Sequence, residues 1–416
     1  MADKYFPIRT ETSCQLKWNW STLYLYGGTT ASCHRTGFSS ITADNFDSFH
    51  NTSKKIKERQ QMLEGRWPDD SCGYCREIES TGGFSDRMLH LDIPNMSPAE
   101  LEKNPIATSV TPTILEVYFN NTCNMGCLYC VPQLSSKINQ ENKNFGDFAR
   151  DGVILKSFPI DVDHTKLVEK FWNWMQANSQ NLRRLNILGG EPFYQIEFDR
   201  CLDYFENSRH PNLELSIITN LMISEDRLDG YLKRFKLLLG QRRLKHVDIT
   251  CSIDCFGQEQ EYVRYGLKLE TWLKNFEKLL KEKWIRLNIN QTISLLTIKT
   301  MPELLEHLQQ WRDIRSVGHY FSEVSPQPSY LEVTILGPNV FKEDSLHIIS
   351  LMPEKSKEDI NAKNYMKGIF KKIENSAVNE KESQNLKIFL DEKDRRRGTN
   401  WRKIFPWLVK EIDHVV

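Results

Sequence analysis

The sequence predicts an α/β protein built on a partial, TIM-like (β/α)6 barrel, with a cysteine-rich module before it and a helical extension after it. Two observations carry this prediction. After residue 113, strand-like and helix-like segments alternate about six times, and repeated strand–helix units predict a parallel sheet. Before that point, four cysteines accompany a Gly-Gly turn between strand-like segments. Six units leave the barrel open, because a closed barrel of this type has eight.

The 416 residues divide by composition into four segments. The cysteine-rich module occupies residues 1–92 and combines a β-hairpin with a helix. Four prolines among polar residues then indicate a linker over 93–112. The partial barrel spans 113–340, and a charged, helical extension spans 341–416.

Composition also limits the function classes. Lys plus Arg equals Asp plus Glu at 55 each, which argues against a nucleic-acid-binding surface and favours a small molecule or a peptide as partner. No apolar run is long enough to span a membrane, and the N-terminus lacks the apolar core of a signal peptide. We therefore expect a cytoplasmic protein whose ten cysteines are metal ligands or buried thiols rather than disulfides.

The N-terminal module supplies one set of candidate metal ligands. Strand-like segments at 21–26 and 29–33 flank Gly27-Gly28 and predict a hairpin, and a helix is predicted over 45–63. Four thiolates can fill one metal site, so a structural zinc ion and an iron–sulfur cluster both remain open. The four cysteines are Cys14, Cys33, Cys72 and Cys75.

A second set of candidate metal ligands follows the predicted strand at 114–119. Cys123, Cys127 and Cys130 are spaced three and then two residues apart, with Tyr129 inside the last gap. Structural zinc sites use four protein ligands, whereas here no fourth cysteine or histidine follows closely. Three thiolates at this spacing favour a cubane iron–sulfur cluster with one open iron.

The sequence after the three-cysteine loop predicts one long loop followed by alternating helices and strands. A polar loop is predicted over 132–158, and the charged run 394–397 is interpreted as part of a solvated helical cap rather than a substrate-binding arm. Helices are predicted at 165–177, 197–208, 227–239, 269–283, 301–312 and 354–416, and strands at 184–188, 213–218, 247–252, 285–290 and 331–335.

Polar residues and glycines stand where these strands end, and parallel strand ends meet at one edge of a sheet. Glycines allow close backbone approach, carboxylates accept hydrogen bonds from an amine, and a guanidinium suits a carboxylate. The candidates are Gly189, Gly190, Glu191, Thr219, Asn220, Ser252, Asp254 and Arg264.

The three-cysteine loop resembles the radical S-adenosylmethionine (SAM) signature, and Gly189-Gly190-Glu191-Pro192 resembles the second motif of that superfamily. The resemblance implies a [4Fe-4S] cluster on Cys123, Cys127 and Cys130 whose open iron chelates SAM. It also implies cofactor contacts from Tyr129 and the strand-end residues above, with Ser252 and Arg264 holding the SAM carboxylate. The family usually has glycine after the aspartate, where this chain has Cys255, so the local turn is in doubt.

The four N-terminal cysteines resemble the auxiliary-cluster modules of the Twitch and SPASM types, and a module before the barrel resembles a Twitch-first subset. Four ligands imply one auxiliary cluster, of the [4Fe-4S] type, with [2Fe-2S] and zinc as alternatives. Because all its positions would be protein-filled, this cluster would exchange electrons rather than bind substrate.

These resemblances imply an enzyme that reductively cleaves SAM to a 5′-deoxyadenosyl radical, which abstracts a substrate hydrogen. The expected substrate is a ribosomally made peptide; the alternative is a small molecule such as a sugar alcohol, and the contrary class is a non-catalytic electron-transfer protein. Expected partners are a flavodoxin or ferredoxin and a separate leader-binding protein, since no winged-helix leader domain is evident. No catalytic residue is assigned: Cys255 is a candidate, with a buried thiol as its default interpretation, and Cys201, Cys251 and several tyrosines are further hydrogen donors.

Overall fold

The computed structural model describes residues 12, 14–33, 35–80, 85–89, 109–160, 162–324 and 328–413, and the statements below concern these residues. Residues 1–11, where we expected no signal peptide, and most of the linker predicted over 93–112 lie outside the described residues. None of the described helices combines the length and the apolar character needed to cross a membrane.

The described strands form one large sheet and one small hairpin. They are β1 Trp20–Tyr24, β2 Thr29–Ala31, β3 Ser39–Ser40, β4 Ile114–Tyr118, β5 Phe148–Arg150, β6 Val153–Leu155, β7 Arg184–Leu188, β8 Glu214–Thr219, β9 His246–Ser252, β10 Arg286–Ile293 and β11 Gly318–Glu323.

The described helices cover the sheet and build the C-terminal region. They are α1 Leu16–Asn19, α2 Ser53–Leu63, α3 Gly73–Ser80, α4 Asp86–Leu89, α5 Ser136–Phe145, α6 His164–Asn178, α7 Ile196–Asn207, α8 Glu225–Gly240, α9 Gly257–Val263, α10 Leu269–Lys281, α11 Met301–Ile314, α12 Lys342–Leu351, α13 Lys357–Glu374, α14 Glu380–Arg397, α15 Trp401–Ile404 and α16 Pro406–Ile412.

The large sheet has nine strands in the order β11-β10-β9-β8-β7-β4-β1-β2-β3. From β1 through β4 and β7 to β11, every neighbouring pair is parallel. Helices connect the successive parallel strands from β7 to β11, because a parallel pair needs a long crossover connection. The structure therefore confirms the α/β class with a mostly parallel sheet and a helical C-terminal region.

The predicted N-terminal hairpin is present, but it belongs to the same sheet as the barrel strands. β1 pairs with β2 in antiparallel register and with β4 in parallel register, from Trp20 opposite Ile114 to Tyr24 opposite Tyr118. The hairpin thus extends the barrel sheet by hydrogen bonding. The domain boundary at residue 92 stays a prediction, and the sheet has no break there.

The sixth barrel strand was predicted in the wrong place. It is β11, whereas the predicted strand at 331–335 follows a 3-10 turn at Ser329–Leu331. Leu331, Val333 and Ile335 are apolar because they are buried in the core without strand pairing. β11 was missed because it lies at the sheet edge and is only partly buried, so its sequence shows little alternation.

Two further elements differ from the predictions. The polar loop predicted over 132–158 contains helix α5, whose N-terminus is capped by the Ser135 hydroxyl accepting from the Ile138 N–H at 3.2 Å, and the β5–β6 hairpin. The helix predicted over 45–63 is a 3-10 turn followed by α2, which begins after the N-cap Thr52. Polar helices with serine or threonine caps are easily mistaken for loops, because they lack a long apolar stripe.

The charged run 394–397 is not the solvated cap that the sequence predicted. The side chains of Arg396 and Arg397 are 0% and 3% exposed, and only Arg395, at 57%, faces solvent. α14 therefore turns cationic side chains inward, toward α5 and the three-cysteine loop.

We predict that the hairpin is needed for the barrel to fold. A chain beginning at residue 109 lacks β1 to β3, so β4 becomes an open edge with buried residues on both faces. Such edges pair with other chains. We expect aggregation in size-exclusion chromatography, while a control that starts at residue 12 elutes like the full chain. A soluble, monomeric chain from residue 109 would mean that the hairpin is an independent unit.

Candidate functional site

The three-cysteine loop leaves the carboxyl end of β4 and is fastened to the segment after β9. The Gly126 N–H donates to the Tyr265 carbonyl and the Leu128 N–H to the Val263 carbonyl, both at 2.8 Å. These paired backbone bonds fix the loop at the carboxyl edge of the parallel strands, where α/β proteins place their chemistry.

The start of α5 holds the other side of the loop. The Ser136 hydroxyl accepts from the Cys123 N–H at 3.0 Å, and the Ser135 hydroxyl donates to the Met125 carbonyl at 2.8 Å. Sequence analysis missed both serines because it assigned this segment to a loop. The adjacent serines at a helix start were the available signal.

The three loop cysteines are partly exposed, but much of their surroundings is protein. Burial raises the pKa of Cys123 to about 12 and raises the pKa of Cys130 further. Burial also raises the pKa of Cys127, but the guanidinium groups of Arg264 and Arg397 oppose that rise. Thiolates here therefore need a positive partner, which a metal centre supplies.

The glycines after β7 make room for the loop. Gly189 and Gly190 have positive φ angles of 85° and 57°, and a Cβ on Gly190 would lie 2.1 Å from the Thr122 carbonyl oxygen. The Glu191 N–H donates to that same carbonyl at 2.8 Å. The close approach that we predicted for a ligand is thus made by the cysteine loop itself.

Glu191 joins the ends of two strands. Its buried carboxylate accepts from the Thr219 hydroxyl at 2.8 Å, the Asn220 N–H at 2.6 Å and the Phe193 N–H at 3.2 Å. Burial raises the pKa of Glu191 to about 7, although these three donors favour the charged form. Most of its acceptor capacity is used within the protein, which leaves little for a bound amine.

Asn220 connects β8 to the loop. Its side-chain amide donates to the Asn124 side chain at 2.8 Å, and its Nδ2 lies 3.9 Å from the Cys123 sulfur. Asn124, inside the cysteine motif, was not singled out by sequence analysis. Its position between two proposed ligands was the only signal.

Tyr129, Asp254 and Arg264 form one buried network beside Cys127. The Arg264 guanidinium donates to both oxygens of Asp254 at 2.8 Å each, and the Tyr129 hydroxyl donates to Asp254 at 2.7 Å. Arg264 Nη1 lies 4.0 Å from the Cys127 sulfur. The fork expected to hold a SAM carboxylate is therefore already paired with Asp254, and Nη1 is the part that points toward the thiols.

The last strand-end candidates are Ser252 and Cys255. Ser252 is the final residue of β9 and is buried. Cys255 is fully buried, and its thiol donates to the Gln260 side chain at 3.6 Å. This favours the buried-thiol interpretation of Cys255; Cys201 and Cys251 are fully buried as well.

The fold brings together the four N-terminal cysteines, which are up to 61 positions apart in the sequence (14 to 75). Burial raises the pKa of Cys14 to about 12, and the neighbouring Cys72 and Cys75 raise it as well. Burial also raises the pKa of Cys33, and the neighbouring Cys14 and Cys72 raise it as well. Cys14, Cys33 and Cys72 pack in one buried apolar cluster, and Cys75 lies one helical turn after Cys72, in α3.

A buried lysine lies beside these thiols. The Lys17 side chain is 1% exposed, pairs with the Glu58 carboxylate and donates to the Ser71 hydroxyl at 3.2 Å. Burial lowers the pKa of Lys17, but Cys72, Glu58 and Cys33 raise it and the balance is upward. The site is therefore built for negative charge on the sulfurs.

The two cysteine sets lie at opposite ends of β4. Ile114, its first residue, packs in the same apolar cluster as Cys14, Cys33 and Cys72, while the three-cysteine loop follows its last residue. Five residues of extended strand span roughly 17 Å. A ligand at the three-cysteine loop is thus far from the N-terminal cysteines.

The donor sets fit iron–sulfur clusters. Within the described ranges, no three His, Cys, Asp or Glu side chains are arranged to hold a single metal ion. A cubane needs no such arrangement, since each iron takes its own thiolate. Arg397, which sequence analysis missed, also has two buried donor atoms beside the loop without a described partner, as an anionic group would require.

No family model matches the chain. Sequence comparison nevertheless confirms the resemblance to radical SAM enzymes. Over 193 residues the chain is 23% identical to the radical SAM cyclopropyl synthase TigE of Paramaledivibacter caminithermalis, a match that covers 46% of this chain and 37% of TigE. The chain therefore matches little more than a third of that relative's length.

Two solved structures are among those similar to this chain. Streptococcus suis SuiB bound to the precursor peptide SuiA has a TM-score of 0.38 and 13% identity, over 78% of this chain and 67% of that one. AnSMEcpe with bound AdoMet has a TM-score of 0.35 and 18% identity, over 57% of each chain. At scores this low, the superpositions do not establish a shared fold.

Gly190→Ala tests whether the loop depends on close packing at β7. A methyl group there meets backbone and forces a strained φ, so we expect a loss of about 2–4 kcal/mol in the free energy of unfolding. Urea unfolding of the metal-free chain measures it. The control Gly230→Ala, in α8 with open space around it, should be neutral or stabilise by about 0.5–1 kcal/mol. Equal behaviour of the two variants would contradict this account.

Lys17→Met tests the buried charge at the N-terminal cysteines. The substitution leaves the Glu58 carboxylate buried without its cation, which costs about 3–5 kcal/mol. The control Lys57→Met removes a lysine that is 63% exposed and should change the free energy of unfolding by less than about 0.5 kcal/mol. Denaturant titration followed by circular dichroism gives both values. A small effect of Lys17→Met would show that its charge is not needed.

Proposed function

We propose that this chain is a radical SAM enzyme. The observation that carries the proposal is the convergence of two strand ends and the residue after α9 on a loop that has three cysteines and, in the part of the chain that the structure describes, no fourth cysteine or histidine close behind them in sequence. Gly190 meets the loop through Thr122, Asn220 lies near the Cys123 sulfur, and Arg264 lies near the Cys127 sulfur. Such a site leaves one iron free for a ligand.

In this proposal Cys123, Cys127 and Cys130 hold a [4Fe-4S] cluster, and SAM binds at its open iron. When bound, the cluster supplies the electron that cleaves SAM to methionine and a 5′-deoxyadenosyl radical, which abstracts a substrate hydrogen. The contrary class, a non-catalytic electron-transfer protein, gives no reason for polar strand ends to surround an open iron.

The chain's own residues position the ligand. Glu191 orients the backbone and hydroxyl donors at 219–220, and Asp254 fixes the plane of the Arg264 guanidinium and the Tyr129 ring. These contacts are made within the chain itself, and groups held in this way need little reorganisation at the moment of reaction. Ser252 and Arg264 Nη1 are the groups left to meet the SAM carboxylate.

Apolar residues of the loop exclude water. Met125 and Leu128 are buried beneath the cysteines and join the main core. Exclusion of water protects a reactive radical from side reactions. The chain thus both orients the bound SAM and keeps water away from one side of the site.

For the N-terminal cysteines we propose an auxiliary [4Fe-4S] cluster on Cys14, Cys33, Cys72 and Cys75. Four converging thiols and the buried Lys17 support an anionic centre, although zinc bound by four thiolates has the same net charge. Its place at the far end of β4 favours electron relay over substrate binding. A flavodoxin or ferredoxin would supply the electrons.

The substrate that we propose is a ribosomally made peptide, presented with the help of a separate leader-binding protein. The resemblance to the Twitch and SPASM types supports this choice. Incubation with SAM, reductant and peptides encoded beside the gene, followed by mass spectrometry, tests it. Modification of a sugar alcohol instead of a peptide would reverse the choice without affecting the cluster chemistry.

Cysteine substitutions test the enzyme proposal. After anaerobic reconstitution, Cys123→Ala should lower 5′-deoxyadenosine formation at least about 100-fold, because one cluster ligand is lost. Chromatography of the nucleoside measures it. The control Cys201→Ala removes a buried thiol outside both sets and should retain cleavage.

Cys72→Ala separates the two centres. It should reduce the iron content from about eight to about four per chain while leaving SAM cleavage measurable. If the unchanged chain instead contains about four irons and one zinc ion, the N-terminal site is a structural zinc site. Cleavage that survives Cys123→Ala would refute the enzyme proposal.

A further inference from the structure

The C-terminal helix α14 reaches the three-cysteine loop through its last residue, Arg397. The guanidinium lies 4.6 Å from the centre of the Tyr265 ring, and its Nη2 would be 3.2 Å from a Cβ built on Gly126. Gly126 directly precedes Cys127. Arg397 is 270 positions later in the chain than Cys127 (397 minus 127). Helix α14 therefore places a cation next to the residue that precedes this proposed cluster ligand.

This guanidinium has unused donors. Its Nε donates to the Glu141 carboxylate at 2.7 Å, but Nη1 and Nη2 are buried without a hydrogen-bond partner among the described residues. The side chain is only 3% exposed. Each unsatisfied buried donor costs about 1–3 kcal/mol, more when charged, so such groups need an acceptor that completes the site.

Arg397 also shares its carboxylate partner with a second cation. Glu141 accepts from both Lys393 and Arg397, so two cations share one carboxylate. Burial alone would raise the pKa of Glu141, but Arg397 and Lys393 lower it and keep the carboxylate ionised. On the other side of Cys127, Arg264 is matched by Asp254. Burial lowers the pKa of Lys393 to about 8. The nearby Asp394 carboxylate accepts from the Tyr262 and Thr399 hydroxyls, so the carboxylate that Arg397 pairs with is the shared Glu141.

The missing acceptor has to be anionic and close to Cys127. A [4Fe-4S] core with two positive charges on three thiolates carries one net negative charge, and reduction adds a second. Hydrogen bonds and positive charge near the sulfurs favour the reduced state, since that state has more negative charge to stabilise.

We propose that Arg397 is a positioning residue for the cluster on Cys123, Cys127 and Cys130: it donates to the Cys127 side of that cluster and raises its reduction potential. The inference rests on the proposed function, because it requires the cluster. It assigns to the C-terminal extension a part in setting the electron chemistry of the barrel.

The test compares three variants of the full chain after reconstitution. Arg397→Met keeps side-chain length but removes charge and donors, Arg397→Lys keeps the charge, and Arg395→Met removes an exposed arginine of the same helix. The readout is a redox titration followed by electron paramagnetic resonance, using the signal that changes when SAM is added.

We expect the ratio of reduced to oxidised cluster at a fixed potential to fall at least tenfold in Arg397→Met, which for one electron corresponds to a midpoint shift of 59 mV. Arg397→Lys should shift in the same direction by less, and Arg395→Met should equal the unchanged chain. A midpoint potential unchanged in Arg397→Met overturns the proposal, and so does weaker SAM binding at an unchanged potential.

Unfolding measurements separate this role from simple bracing of α14 against α5. If Arg397 serves the cluster, Arg397→Met destabilises the cluster-loaded chain more than the metal-free chain. Equal destabilisation in both states would mean that the Glu141 ion pair is its whole role, and would overturn the proposal. If the unchanged chain assembles no SAM-responsive cluster, the proposed function fails; if it does and only the potential is insensitive to Arg397, this inference alone fails.

Discussion

The contact between the Gly190 backbone and the Thr122 carbonyl is the constraint on which the site depends. No side chain fits between them, so the end of β7 and the three-cysteine loop touch directly. Once they touch, Glu191 reaches the end of β8, and Asn220 reaches the loop. Close packing of this kind transmits small displacements, because interiors have few voids to absorb them. A single backbone contact thus aligns the three cysteines with two neighbouring strand ends.

Charge is the second organising factor. The N-terminal cysteines are buried and the loop cysteines are partly exposed. Each set has a buried cation beside it: Lys17 at the N-terminal set, and Arg264 and Arg397 at the loop. Burying so many ionisable groups is costly unless opposite charges meet. The paired carboxylates, Glu58, Asp254 and Glu141, cover part of this charge, and the anionic centres that we propose would cover the rest. At both sites, a buried cation paired with a carboxylate lies beside the cysteines, although different secondary-structure elements supply these residues.

The shared sheet sets the distance between the two sites. Because β1 pairs directly with β4, the N-terminal cysteines cannot move freely relative to the barrel. They lie at the start of β4 and the loop lies at its end, so the strand acts as a fixed spacer. With the two clusters that we propose, this arrangement would suit electron transfer between them and would keep the N-terminal one away from a ligand at the loop.

Local sequence by itself determined the cysteine sets, the strand ends and most barrel elements, because alternation, helical periodicity and glycine turns are encoded within short windows. β7 was predicted to the residue, and the candidates from Gly189 to Asp254 lie at or just after the ends of parallel strands, whereas Arg264 directly follows α9. Only the tertiary structure decided which strand is sixth, that the hairpin joins the barrel sheet, and that Arg264 is paired with Asp254. It also turned Arg397, part of an apparently solvated run, into a buried neighbour of the loop. These outcomes depend on contacts between residues far apart in the chain, and no short window of sequence contains both partners.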